Sequence, residues 1–500
     1  MAYTAARNAY SRVFLIERKA RGDRAPVYHS SLAAGAVEQS FGDLEKIEVP
    51  DPDVYGAFVE IGTIRGGEER PTVGLSGRYA ADLASTLIRL AKIKCDSDVQ
   101  IHFGACQNPA SFNEFDKALI LEGAAITSWS SDELGALESG DQAVVNETAE
   151  LSATKFYEVL PLKFSERGAA AIAGVITDLV SADSIGCGEC EDESDGCQKI
   201  YGVTAAAPGS AGTPMDLLYS PDGGLNWYAT DVDGAGAEEA GGVMRINNYI
   251  VVPSDGNALY YILQSDLNAL VTSATDPTFT SVSTGFVAAK TPADSWSVGS
   301  KGFIAAAGGY VYAVTDPTSG VTVLDAGNAT TEDLGAIHSP DGSVIIAGGT
   351  NGAVIYATDG ETFTLATAPS ANTINTVWAM NSRVFWAGDA AGGLFYSTDA
   401  GVSWTSKGFT GSGSGSVNDI AFASGSVGYL AHDTAASVGR LLRTYDGGYS
   451  WVVLPEDNST LQDNDGMAAL AVCKYDVNIV NAGGTLAGGT DGTVLRGVDA

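Results

Sequence analysis

Two kinds of apolar pattern divide this 500-residue chain. In residues 1–168 apolar positions come in short runs such as RVFLIER (Arg12–Arg18) and AFVEIGTI (Ala57–Ile64), which predict strands. In ETAELSATKF, Ala149, Leu151 and Ala153 alternate with Thr148, Glu150, Ser152 and Thr154, so one face is buried and one wet. A single helix is predicted over Tyr79–Lys94, where Leu83, Leu87 and Leu90 form a stripe. Asp82 in its first turn and Lys92 and Lys94 in its last suit the helix dipole. This region reads as an α+β or β-sandwich domain.

Beyond residue 168 the pattern becomes periodic. An apolar pair separated by three residues from an Asp recurs at Asp222, Asp266, Asp316, Asp359, Asp399, Asp446 and Asp499. A spacing in the forties, with several short strands per unit, predicts a seven-bladed β-propeller. Small apolar strands such as VIIAGG (from Val344), VFWAG (from Val384) and TLAGG (from Thr485) precede the Asp-bearing hairpins. NTVWAM (from Asn375) and NDIAFA (from Asn418) lie further upstream, and a Trp opens each fourth strand at Trp227, Trp404 and Trp451. The last copy reaches Asp499, so blade seven is expected to lack its own outer strand. Residues 171–183 offer an inner strand for blade one, and the closure of the ring stays open. The predicted fold is mainly β: residues 1–168 form an assembly-type domain, 169–200 a connector carrying a Cys cluster, and 201–500 the propeller.

Charge and cysteine usage narrow the function. The net charge is −34. Residues 1–170 carry 17 Lys/Arg against 25 Asp/Glu, and the remainder 10 against 36. Such a surface repels nucleic-acid phosphates and excludes a DNA-reading role. No secretory leader and no run of about 20 apolar residues is visible, so no membrane insertion is expected. Cys187, Cys190 and Cys197 lie together in CGECEDESDGC, with Cys473 available near the seam. A disulfide staple, free thiols and a metal site all fit that spacing.

The repeated hairpin is a structural device. In LLYSPDGGLNW the Asp accepts turn N–H groups, the Gly supplies positive φ, and the Trp returns to cover the hairpin. The stretch resembles the Asp box, Ser-x-Asp-x-Gly-x-x-Trp, of the bacterial neuraminidase repeat and of propellers like the photosystem II assembly factor and sortilin. Ser220, Asp222, Gly224 and Trp227 match it, as do Ser397, Asp399, Gly401 and Trp404. Thr444, Asp446, Gly448 and Trp451 match with Thr for Ser, and Asp359 marks a degraded copy. The sialidase chemistry this resemblance implies needs an Arg cluster. The propeller has only Arg245, Arg383, Arg440, Arg443 and Arg496, the last three on or beside third strands. Catalytic residues, cofactor and metal are therefore all expected to be absent, with a sialidase a distant third reading. HSPDGS (His338–Ser343) reads as a surface turn. The runs at Asp231 and Asp255 carry oxygen ligands but lack the twelve-residue calcium-loop spacing. GSGSGS (Gly411–Ser416) reads as a loop between blades.

The run from Asp98 to Leu162, including DVQIHFGACQNP and VNETAELSA, resembles the major tail (tail tube) proteins of long-tailed bacteriophages. That resemblance implies a virion tail protein made in the host cytoplasm. It implies homo-oligomeric rings, expected to be hexameric, stacked around a channel for passing DNA and the tape-measure protein. The propeller would decorate the exterior or touch a host surface glycan or protein. FGDLEKIEVPDPDVYG (Phe41–Gly56) is either an arm reaching an adjacent subunit or an ordinary loop. The alternative is a non-enzymatic receptor- or glycan-binding propeller carried by an N-terminal adaptor.

Overall fold

The structure is a computed structural model describing residues 12–19, 22–23, 27–28, 32–38, 44–50, 58–65, 70–78, 97–103, 117–131, 146–159, 162–167, 175–181, 199–205, 215–234, 238–273, 276–409, 412–434, 439–454, 466–472, 479–484 and 493–499. It divides into two compact units, Met1–Pro161 and Leu162–Ala500. The helix expected over Tyr79–Lys94, the TLAGG stretch and all six cysteines, including Cys187, Cys190, Cys197 and Cys473, lie outside the described residues.

The first unit is a curled antiparallel sheet of nine strands. Its main path runs Gly22–Asp23, Arg12–Lys19, Ser97–Phe103, Lys117–Ser131, Asn146–Ser152, Thr72–Arg78 and Leu32–Glu38. The long strand Lys117–Ser131 makes the curl. Its first half pairs with Ser97–Phe103 and Lys155–Val159, its second with Asn146–Ser152. Between them Gly123 takes φ 60°, and its N–H donates to Asp98 Oδ1 at 3.0 Å. A Cβ there would meet Thr154 Oγ1, so the bend requires Gly. The alternation read at 148–154 holds: Ala149, Leu151 and Ala153 are buried with Val13, Val73, Leu75 and Ile101. Leu44–Pro50 and Phe58–Arg65 form a separate two-stranded hairpin, so the acidic Pro-bearing segment begins as a strand.

The second unit is the propeller: seven four-stranded antiparallel sheets. Inner strands of consecutive blades pack against one another from blade two to blade seven, and Gly466–Val472 of blade seven meets Val175–Ser181 of blade one. Blades one and two share a buried core that includes Val180, Tyr201, Val243 and Ile250. Val175–Ser181 is thus the inner strand of blade one, followed by Ile200–Ala205, Asp216–Ser220 and Tyr228–Asp231. Blade seven does have a fourth strand. Leu162–Arg167 pairs antiparallel with Thr493–Asp499, Leu162 opposite Asp499 and Arg167 opposite Val494. The propeller therefore begins at residue 162 rather than 201, and its closing strand comes from a segment read with the first domain. The second strand of blade seven is Ile479–Gly484.

Two repeats depart from the pattern: Asp499 ends the third strand of blade seven, paired with Leu162, and blade two carries an inserted helix. In blade two the third strand, Ala258–Leu263, runs into the helix Gln264–Ser273 before the fourth strand, Thr280–Val282. Asp266 sits in that helix's first turn and not in a hairpin corner. Leu267 and Leu270 are spaced for one helical face, and both are buried in the core between blades one and two.

Candidate functional site

Each complete Asp box is a closed hydrogen-bond unit. Ser220 Oγ donates to Asp222 Oδ1 at 3.0 Å and accepts from Gly224 N at 2.8 Å. Asp222 also accepts from Asn226 N at 2.8 Å and Asn226 Nδ2 at 2.6 Å. Ser397, Asp399, Gly401 and Ser403 repeat this scheme, as do Thr444, Asp446, Gly448 and Ser450. The fourth polar partner (Asn226, Ser403 or Ser450) was missed from sequence, although it stands directly before the Trp in all three copies. The degraded copy keeps only the turn: Asp359 Oδ1 accepts from Glu361 N and Thr362 N. These donors hold the Asp359 carboxyl down at about 2. Side-chain donors from Ser403 lower Asp399, and hydrogen bonds from Asn226 and Ser220 outweigh burial to lower Asp222.

The box Trp does more than cover its own hairpin. Trp227 of blade one is buried with Ala469 and Ala471 of blade seven. Trp404 of blade five packs on blade four, and its Nε1 donates to Thr367 O at 2.7 Å. Trp451 of blade six sits edge-on to Trp386 of blade five, centroids 6.1 Å apart. The box is therefore a joint between a blade and the one before it. The box Gly shares this contact: a Cβ on Gly448 would overlap the Trp386 ring, and one on Gly401 would lie 2.7 Å from Ala366 Cβ.

The candidate ligand site lies on the propeller axis. Six inner strands carry a β-bulge, after which stand Asp178, Asp294, Ala336, Thr376, Asp419 and Ala469. Blade two reaches the same level with Gly241 and Gly242, Gly241 N donating to Pro253 O. Three of these seven positions are carboxylates, and each ties its blade to the next. Val243 N donates to Asp178 Oδ2 at 2.9 Å, Ile337 N to Asp294 Oδ2 at 2.7 Å, and Leu470 N to Asp419 Oδ2 at 2.8 Å. Thr376 Oγ1 donates to Asp419 Oδ1 at 3.2 Å. All three Asp residues line a cavity of about 150 Å³.

Burial and the neighbouring Asp178 charge raise both other carboxyls: Asp294 well above the usual range, and Asp419 to about 7 despite its backbone donors. A charged residue inside an otherwise apolar inner strand (VITDLV, PADSWSV, VNDIAFA) was the sequence signal for this ring, and it was missed.

One wall of the cavity is aromatic. His338 is the last residue of the blade-four inner strand and is 3% exposed, which corrects its reading as a surface turn. Its ring stacks on Trp378 at 3.7 Å and lies 4.5 Å from Trp296. His338 Nδ1 accepts from Ala379 N at 3.1 Å, and burial drives its pKa down to about 3, so the ring is neutral.

The remaining candidates are turn elements. Asp231 accepts from Gly234 N, Asp233 from Glu238 N, and Asp255 from Glu239 N. Among the described residues no group of three or more His, Cys, Asp or Glu side chains is set to hold a metal ion. Arg440 and Arg443 lie on the third strand of blade six and Arg496 on that of blade seven. No Arg stands among the described residues lining the axial cavity.

No protein-family model matches the chain. No curated protein matches it. Among solved structures the chain is similar to YCF48 bound to a D1 peptide, with a TM-score of 0.49 and 15% identity over 68% of this chain and 98% of that one. It is also similar to YCF48 from Cyanidioschyzon merolae, with a TM-score of 0.47 and 12% identity over 67% of this chain and 98% of that one.

Proposed function

We propose that the protein is a non-enzymatic recognition protein: the propeller presents a ligand site at its axis, and the first unit is an adaptor that assembles or anchors it. The observation that carries this reading is the axial cavity, where polar and aromatic side chains from several blades converge on one space. Its lining combines carboxylates, amides and indole rings, a recognition surface, while the Arg clamp of a sialidase is missing from the described lining residues. The ligand classes to test first are host-surface glycans and proteins. A glycan array probed with residues 162–500 gives selective binding on this reading, without turnover of any sialoside. Hydrolysis of a sialoside by the intact protein would refute it.

A second reading is supported by the first unit, namely a tail tube subunit of a virion, made in the host cytoplasm. Among the described residues Leu32–Glu38 is an edge strand of the curled sheet, and edge strands invite pairing with another copy. The hairpin Leu44–Pro50/Phe58–Arg65 pairs with no other strand among the described residues, and an isolated hairpin is marginal in water without a partner. On this reading copies close into rings, hexameric in the family resembled, and the rings stack around passing DNA and the tape-measure protein. Negative-stain electron microscopy of the full chain beside residues 1–161 separates the two readings. Rings or tubes from both, with knobs only on the full chain, support the tube. Dispersed particles from both at high concentration leave the adaptor reading.

A further inference from the structure

We infer that the axial cavity binds an alkylammonium group, the chemistry shared by a lysine side chain and an aliphatic amine. This rests on the propeller being a recognition module and names what its axis takes.

Four features of the site point to that ligand. The space, about 150 Å³, far exceeds the ~10–15 Å³ that one water needs. Its polar wall is rich in carboxyl groups with no cation against them: the donors holding Asp294 and Asp419 are backbone N–H groups and the Thr376 hydroxyl, all neutral. None of the described lining residues is a Lys or Arg. Next, a polar group waits for a partner. Ser295 lines the cavity, is 4% exposed, and its Oγ has no hydrogen-bond partner. It faces Gly242 of blade two, whose absent Cβ would lie 2.5 Å from Ser295 Oγ and 3.1 Å from Asp178 Oδ2. Gly242 is thus required for the close approach of its backbone to the Ser295 hydroxyl and the Asp178 carboxylate at the cavity wall.

The aromatic wall supplies the rest. Trp296 and Trp378 are half-buried and line the cavity, with neutral His338 between them. Indole faces attract a cation and pack an aliphatic stem, and a neutral imidazole adds no repulsion. A bare metal ion fits less well, because the three carboxylates do not converge into a ligand set.

The test uses the full chain and n-butylammonium chloride, followed by isothermal titration calorimetry and tryptophan fluorescence, with n-butanol as the uncharged control. The expected result is saturable binding of n-butylammonium, no binding of n-butanol, and at least tenfold weakening in Asp419→Asn. Should that variant fail to fold, the wild-type protein carries the test. The ionisable groups facing the site are Asp178, Asp294, Asp419 and His338, and His338 stays neutral. Affinity therefore rises between pH 5.5 and 8, with proton release at pH 7 measured in two buffers of different ionisation enthalpy.

Binding that ignores both pH and Asp419→Asn would be diffuse attraction to an acidic surface and would overturn the inference. A lysine peptide that binds more tightly than n-butylammonium, and loses binding on Nε-acetylation, identifies a protein as the source. Equal binding of the two identifies a free amine. Glycan binding that survives Asp419→Asn, together with no n-butylammonium binding, would overturn the axial site while leaving the recognition reading in place.

Discussion

Ser397 shows how one hydroxyl holds a hairpin. Its Oγ satisfies Gly401 N and donates to Asp399, and Ser397 is 1% exposed. Ser397→Ala leaves a buried N–H without a partner, a cost of about 1–3 kcal/mol. Ser403→Ala removes one side-chain donor to Asp399 at an exposed position, keeps the backbone one, and should cost less, about 0.5–1.5 kcal/mol. Calorimetric Tm values that rank these two the other way would refute this division. Gly448 is a harsher case. It has φ 88°, and a Cβ there would overlap the Trp386 ring. Gly448→Ala combines left-handed strain with overpacking and should cost about 2–4 kcal/mol. The Ser/Thr, Asp and Gly of each box were legible because their bonds are local in sequence. His338 was not: SPDG does form a turn, in which Gly342 N donates to Ser339 Oγ, but the ring before it faces the axis.

Elements meet where the sequence is silent. The box Trp is visible as a repeat, but the blade it reaches is the preceding one around the ring. For Trp404 and Trp451 that blade lies upstream in the chain and for Trp227 it is blade seven at the far end, so the joint appears only in three dimensions. The same holds for the closing strand. Leu162–Arg167 reads as one more strand of the first domain, because nothing local distinguishes it from Lys155–Val159. Its partner is Thr493–Asp499, at the far end of the chain, and such non-local pairing leaves no periodic trace. The helix of blade two was legible in principle, since Leu267 and Leu270 share a face, but the repeat register masked it. The closing strand gives a direct expectation. A chain of residues 162–500 should melt cooperatively at the propeller Tm of the full protein. Residues 169–500 lack one strand of blade seven and expose the edge of Thr493–Asp499, so they should melt lower and self-associate. Equal melting of the two truncations, with the second monomeric by light scattering, would refute the closure.

For the whole molecule, two sets of carboxylates pull the pH dependence of stability apart. Asp222, Asp341, Asp359 and Asp399 are held below their ordinary pKa by turn donors. Their contribution is present above about pH 4 and is lost as pH falls toward the folded-state values. Asp294 and Asp419, raised chiefly by burial, act in the opposite sense, as does Asp216, pushed up to about 6 by burial and by Asp231. From about pH 4 upward the folded protein holds protons that the unfolded chain releases, so stability declines as pH rises toward 7. The net charge of −34 adds repulsion in the same direction, but salt screens that part, because it acts between surface charges. Maximal Tm is therefore expected between about pH 4 and 5, with a decline to pH 8 that persists in 0.5 M salt. Asp419→Asn isolates the axial share. An amide does not titrate, but its nitrogen cannot accept as a carboxyl oxygen does from Leu470 N, so the variant should start lower in Tm at pH 5 and decline less than the wild type between pH 5 and 8. A wild-type Tm that holds level or climbs to pH 8, or a variant with an unchanged slope, would show that the axial carboxylates are solvated and do not set the pH response.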